Sequence, residues 1–199
     1  MIKLYQPLKT FTDDEQKRAA VGAFFATEEV NILRVGIRTA ASAFLRNNGN
    51  VLVMKRSQHK RIAPGMWAGV GGHMEPHELN NPSETCYREI EEETGITRDD
   101  IQSLELLYIT VRMKNPDEIR YNYFYFGETT KTETIQTDEG ILHWIPESEL
   151  LNRDYTQTIA AMLEHYTTRH PHDRAVYVGV AGNDNNNLNM TWALLEDFE

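Results

Sequence analysis

The chain has 199 residues, 40% apolar and 25% charged, a length and balance that suit one soluble globular domain with a proper core. Its formal net charge of −10 argues against long nucleic acid as a partner, because phosphate backbones demand clustered positive charge. No apolar run approaches the ~18 residues of a membrane span, the N-terminus lacks a signal-peptide core, and the single cysteine, Cys86, permits no internal disulfide, so the expected setting is the cytoplasm.

In chain order, residues 1–9 read as a short strand. Thr12-Asp13-Asp14-Glu15 is a capping-box pattern ahead of a helix ending near residue 28. Residues 34–46 alternate or are small and apolar, as a strand requires. Asn47-Asn48-Gly49-Asn50 is a hairpin turn, and Val51-Leu52-Val53-Met54 is the returning strand. Lys55, Arg56, His59, Lys60 and Arg61 then form the densest basic patch of this acidic chain. Such a run is either a solvated loop or a contact for substrate phosphates, with Arg56, Lys60 and Arg61 as the candidates. Trp67, in the glycine-rich stretch that follows, carries a large apolar surface and reads as a packing residue. His73 is left without a role.

Residues 71–96, GGHMEPHELNNPSETCYREIEEETGI, are the most informative stretch. Asn81 suits a helix N-cap, Pro82 the first helical position, and Glu84 a capping-box partner. Gly95 is a natural stop, since glycine enters the left-handed cap without strain. On the wheel between them Ser83, Cys86, Tyr87, Ile90 and Thr94 share the side to bury. Glu89, Glu92 and Glu93 share another, Arg88 sits at its edge one turn from Glu84 and Glu92, and Glu91 points to solvent. Three carboxylates on one face repel at neutral pH unless something positive offsets them. Hard divalent cations take oxygen ligands and would do so; the alternative is a solvated acidic face. Cys86, on the buried side, reads as a small core residue.

Further on, residues 104–113 and 119–126 read as strands joined by Asn115-Pro116-Asp117-Glu118, the second with aromatics on both faces. Thr137-Asp138-Glu139-Gly140 is a loop before a strand over 141–145, and 146–150 is a short turn or helix. A helix over about 155–168 presents Ile159, Met162, Leu163 and Tyr166 on one face. Residues 175–181 and 188–195 read as a terminal hairpin that either extends the sheet or pairs chains as a homodimer.

The 71–96 stretch resembles the Nudix hydrolase signature, G-x5-E-x7-R-E-U-x-E-E-x-G-U with U aliphatic. Gly72 and Glu78 match its first part, and Arg88, Glu89, Ile90, Glu92, Glu93, Gly95 and Ile96 its second. One departure is plain: nine residues, not seven, separate Glu78 from Arg88. The excess lies in Leu79-Asn80-Asn81, where a loop absorbs insertions cheaply; it bears on where Glu78 sits, not on the helix. The resemblance implies an α/β fold, the Nudix-like α/β/α sandwich with a mixed sheet, over a core of about 34–170. Residues 1–33 are then an N-terminal helical extension and 175–199 a C-terminal β-hairpin extension of a single 1–199 domain.

It further implies a Mg²⁺ (or Mn²⁺) dependent hydrolase that cuts a diphosphate linkage in a nucleoside di- or triphosphate derivative. The expected metal ligands are Glu89, Glu92, Glu93 and the backbone carbonyl of Gly71, with Arg88 orienting a carboxylate by ion pairing and Glu78 in the outer shell. Glu89, Glu92 or the loop residue Glu139 would take the water's proton. Arg56, Lys60, Pro64-Gly65-Met66-Trp67 and Gly72-His73 also resemble isopentenyl-diphosphate isomerase, but Gly71 stands where that enzyme carries its cysteine. A non-catalytic nucleotide-binding module is the remaining alternative, and its hallmark, loss of signature glutamates, is missing here.

Overall fold

The structure, a computed structural model, describes residues 35–169, 173–184 and 187–196. The expected strand over 1–9, the helix near 12–28 and the N-terminal extension they form lie outside the described residues.

Strand β1 (Gly36–Asn47) turns into β2 (Asn50–Arg56) through Asn48 and Gly49, with φ of 46° and 78°. Both positive values match the mirror-image turn whose twist suits a two-residue hairpin, which is what the Asn-Gly pair predicts. Two short strands follow, β3 (Trp67–Ala68) and β4 (Val70–His73). After helix α1 (Pro82–Thr94) come β5 (Ile101–Asn115), β6 (Glu118–Thr129), β7 (Gly140–Pro146), helix α2 (Gln157–Arg169) and the terminal pair β8 (Tyr177–Asp184) and β9 (Asn187–Leu194).

Among the described residues nine strands join one mixed sheet in the order β3-β2-β1-β6-β5-β8-β9, with β4 also on β1 and β7 on β2. The pairs β1–β6 and β5–β8 are parallel and the rest antiparallel. The terminal hairpin therefore extends the sheet beyond β5.

The two sheet faces carry separate cores, as alternating side chains dictate. On one, Met162, Leu163 and Tyr166 of α2 pack against Phe44, Phe124 and Phe126, with the Phe126 and Tyr166 rings stacked at 4.0 Å. On the other, Cys86 and Ile90 of α1 pack against Ala41, Ala43, Val70 and Tyr125. Full burial of each such medium or large side chain is worth roughly 1.5–3 kcal/mol. The result is an α/β/α sandwich. Burial also pushes the Cys86 thiol pKa far up, in keeping with an inert core residue.

Helix α1 ends at Gly95, whose φ of 73° lets its N–H bond the Glu91 carbonyl. Its start differs from the capping box expected. The Asn81 side chain makes no cap bond and instead accepts from the Ser83 hydroxyl at 2.7 Å, while Glu84 turns outward to Arg98 at 2.6 Å. A nearby cation outcompetes a backbone N–H for a carboxylate, which is why the local pattern misleads.

Candidate active site

The sheet end nearest α1 opens into a cavity of about 660 Å³, bordered by β1, β4, β6, the start of the β3 segment and the loop before β7. Strand β4 sets its geometry. Gly71 pairs with Ser42, Gly72 with Ala41 and His73 with Ala40, which lays the glycines across the foot of α1. A Cβ on Gly71 would lie 2.2 Å from the Ala41 carbonyl oxygen, and its φ is 152°. A Cβ on Gly72 would lie 2.4 Å from Glu89 Oε1. Glycine at 72 lets the Glu89 carboxylate close onto this strand, and glycine at 71 lets the strand lie against β1.

Arg88 organises those carboxylates. Its Nε donates to Glu78 Oε1 at 2.8 Å and its Nη2 to Glu78 Oε2 at 3.0 Å; Nη1 reaches Glu89 at 2.8 Å and Glu92 at 3.1 Å, and Nη2 also donates to the His73 carbonyl. Glu78 is 4% exposed and accepts as well from the Thr85 hydroxyl and the Glu75 N–H. These donors, Arg88 foremost, hold its carboxyl down to about 2 against the cost of burial. The two extra residues are taken up by the turn at Leu79-Asn80 and by Asn81, between the 3₁₀ turn (Pro76–Glu78) and α1, and leave Glu78 beside Arg88.

Glu93 is placed differently. It is 5% exposed and accepts from the Gly71 N–H at 2.9 Å. Burial, with Glu89 and Glu139 adding like charge, raises its pKa to about 8. Burial also raises that of Glu89, in spite of Arg88. Glu92 is more than half exposed. Across the cavity Glu139 accepts from Lys60 Nζ at 2.6 Å.

The sequence candidates are thus distributed unevenly. Gly71, Arg88, Glu89, Glu92, Glu93, Glu139 and Arg56 all border the cavity. Arg56 is braced by its Nε–H to the Ile62 carbonyl. Lys60 stands behind Glu139, and Arg61 is exposed away from the cavity, so the basic patch splits as its loop turns. Trp67 combines two roles: it packs on the α2-side core and also borders the cavity, with the Arg153 guanidinium 5.3 Å from its ring centroid. Three further arginines, Arg38, Arg112 and Arg120, border the cavity; each comes from a different strand, so no local sequence pattern groups them.

Among the described residues no three His, Cys, Asp or Glu side chains already converge as a metal cage. Glu89 and Glu92 are drawn to Arg88 and Glu93 to Gly71. The donor set nonetheless fits a hard divalent cation in kind. It offers the carboxylates of Glu89, Glu92 and Glu93, of which Glu89 and Glu93 have raised pKa values, through burial first and neighbouring carboxylates second.

The NUDIX domain model matches residues 36–166. The chain is 41% identical over 58 residues to the nucleoside triphosphatase NudI of Enterobacter sp. (strain 638), a match over 29% of this chain and 40% of that protein. Among solved structures it is similar to the mutator MutT protein of Bacillus halodurans, at 21% identity and a TM-score of 0.61, over 79% of this chain and 97% of that one. It is also similar to the NUDIX domain of Shewanella oneidensis NrtR complexed with ADP ribose, at 16% identity and a TM-score of 0.54, over 74% and 97%. At such identities these structures speak for the fold. Among the described residues no helix is long and apolar enough to cross a membrane.

Proposed function

Since the chain belongs to the NUDIX family, we propose that it is a Mg²⁺- or Mn²⁺-dependent hydrolase that cleaves a diphosphate linkage in a nucleoside di- or triphosphate derivative. The observation that carries this reading is one cavity in which Glu89, Glu92 and Glu93 face Glu139, with Arg56 and Arg88 at its walls. The similar proteins include a nucleoside triphosphatase and a domain complexed with ADP ribose, and both of those ligands contain a phosphoanhydride.

Glu89, Glu92, Glu93 and the Gly71 carbonyl would hold the cation, which when bound offsets phosphate charge and acidifies a water. Arg88 fixes the rotamers of Glu89 and Glu92 through one guanidinium and ties them to Glu78. Arg56, held by the Ile62 carbonyl, offers its remaining N–H groups to a phosphate. Glu139 is a cavity carboxylate that belongs to neither α1 nor the Arg88 cluster. It receives the proton of the attacking water, and Lys60 keeps it in place.

The test is phosphate release from a nucleotide panel at millimolar Mg²⁺ and after chelation. Glu92→Gln, at an exposed position, should abolish metal-dependent release and leave the melting temperature unchanged. Glu139→Gln should lower kcat by about 100-fold. Undiminished release by Glu92→Gln would remove the reading.

A further inference from the structure

Sheet register places three arginines side by side. Arg38 of β1 pairs with Arg120 of β6, and Arg120 pairs with Arg112 of β5. Adjacent strands lie about 4.8 Å apart, so the three side chains leave one face as a row. That face continues through Asn122 and Phe124 into the α2-side core, and all three arginines border the cavity. Like charges directly opposite one another across a sheet destabilise it. Here they are neither solvated at an edge nor neutralised in full. Arg120 is 14% exposed and donates to Glu118 at 2.6 Å. Among the described residues, Arg38 and Arg112 have no hydrogen-bonded or ion-paired side-chain partner. Burial and Arg120 lower the pKa of Arg112, with Glu118 opposing. Glu75 also borders the cavity, but it is exposed and turned to His77 at 3.4 Å.

The place and charge of the row suggest what it takes. Gly71, which touches Glu93, pairs with Ser42, and Arg38 lies four residues back along β1, about 13 Å away at the strand rise. Between backbone positions that spacing exceeds the length of an anhydride chain. It suits a group at the other end of the substrate. Among the described residues, three guanidiniums less Glu118 leave two positive charges, and a phosphate monoester carries about −1.5 to −2 at pH 7. Forked guanidinium donors also match phosphate oxygens.

We propose that Arg38, Arg120 and Arg112 form a second anion subsite, for a phosphate monoester carried on the substrate at the end remote from the linkage to be cut. The preferred substrate is then a diphosphate-linked nucleoside bearing an additional phosphate, for example on its ribose. The position of the linkage rests on the function proposed above; the anion subsite itself does not.

The test has two arms on the full chain. In chelator, without turnover, calorimetric titration compares adenosine 5′-monophosphate with adenosine 2′,5′- and 3′,5′-bisphosphate. At least one bisphosphate should bind about tenfold tighter or better, as expected of a charge-assisted contact. Arg112→Met and Arg38→Gln, the latter at a half-buried position, should each pull that ratio towards one, with thermal melts verifying the fold. In the second arm, kcat/KM at millimolar Mg²⁺ is compared for NADPH and NADH, which differ by one ribose phosphate. A preference for the phosphorylated member that shrinks in both variants supports the assignment. A bisphosphate that binds tightly and responds to the variants, with neither dinucleotide nor any nucleotide cut, keeps the subsite and removes the hydrolase. Both dinucleotides cut at equal rate, with the bisphosphates bound no better than the monophosphate, overturns the subsite and keeps the hydrolase. A binding ratio unmoved by both variants also overturns it.

Discussion

Replacing Arg88 by methionine keeps the aliphatic length and removes the guanidinium. Glu78, 4% exposed, then loses two charge-assisted bonds at 2.8 and 3.0 Å and keeps only the Thr85 hydroxyl and the Glu75 N–H. Removing one partner of a buried ion pair costs about 3–5 kcal/mol. The value belongs at the lower end, about 3 kcal/mol, because Glu78 retains two donors and is able to take up a proton. The contact to exposed Glu92 adds little. For a domain of this size 3 kcal/mol corresponds to roughly 6–12 °C in Tm. The loss also carries a pH signature. The folded pKa of Glu78, about 2, lies below its ordinary 4.5, so its stabilisation is fully present above 4.5 and disappears as pH falls towards 2. The gap between wild type and Arg88→Met, followed by urea unfolding and circular dichroism in chelator, should therefore be wide at pH 7 and narrow at pH 3. Arg88→Met/Glu78→Gln, which removes the bare charge of Glu78 and leaves only that of half-buried Glu89, should recover part of the loss. A gap below about 1 kcal/mol at pH 7, an equal gap at pH 3, or a double variant no better than the single one would refute this account.

The two glycines of β4 should separate stability from activity. An alanine at Gly72 meets only the end of the Glu89 side chain, so Gly72→Ala should cost under about 1 kcal/mol and yet lower kcat at least tenfold. Gly71→Ala meets the Ala41 backbone at positive φ and should cost more than about 2 kcal/mol; the reverse order in urea midpoints rejects the geometry. Glu93 gives the opposite pH slope to Glu78. Its folded pKa, about 8, lies above 4.5, so the folded state holds the proton more tightly and metal-free stability falls as pH rises from 4.5 to 8. Between pH 5 and 7.5 that amounts to something on the order of 3 kcal/mol, and Glu93→Gln should flatten it. An unchanged slope in the variant, measured in chelator, defeats the prediction.

Several features were legible from local pattern alone. Asn48-Gly49 encodes its turn, Gly95 ends α1, and the spacing of Cys86, Ile90 and Thr94 marks the face that is buried. The glutamates of α1 are readable for the same reason, since neighbours three and four apart meet on any helix. Local pattern failed where a distant group competes. Arg98 takes Glu84 from the helix cap, and Lys60 turns to Glu139. Buried Glu93 is a wheel position whose environment comes from β4, not from α1.

What the chain determined by itself is thus most of the longer elements between 36 and 169, the Asn48-Gly49 turn, the Gly95 stop and the acidic face, because these depend on contacts within a turn or two; the short strands β3 and β4 are not among them. What only the tertiary structure decided is which charges meet. Glu78 reaches Arg88 across an enlarged loop, and Arg38 comes beside Arg120 through a parallel pairing of strands far apart in sequence. Strand register is settled by the burial of both sheet faces together, so no window of sequence contains that row of arginines.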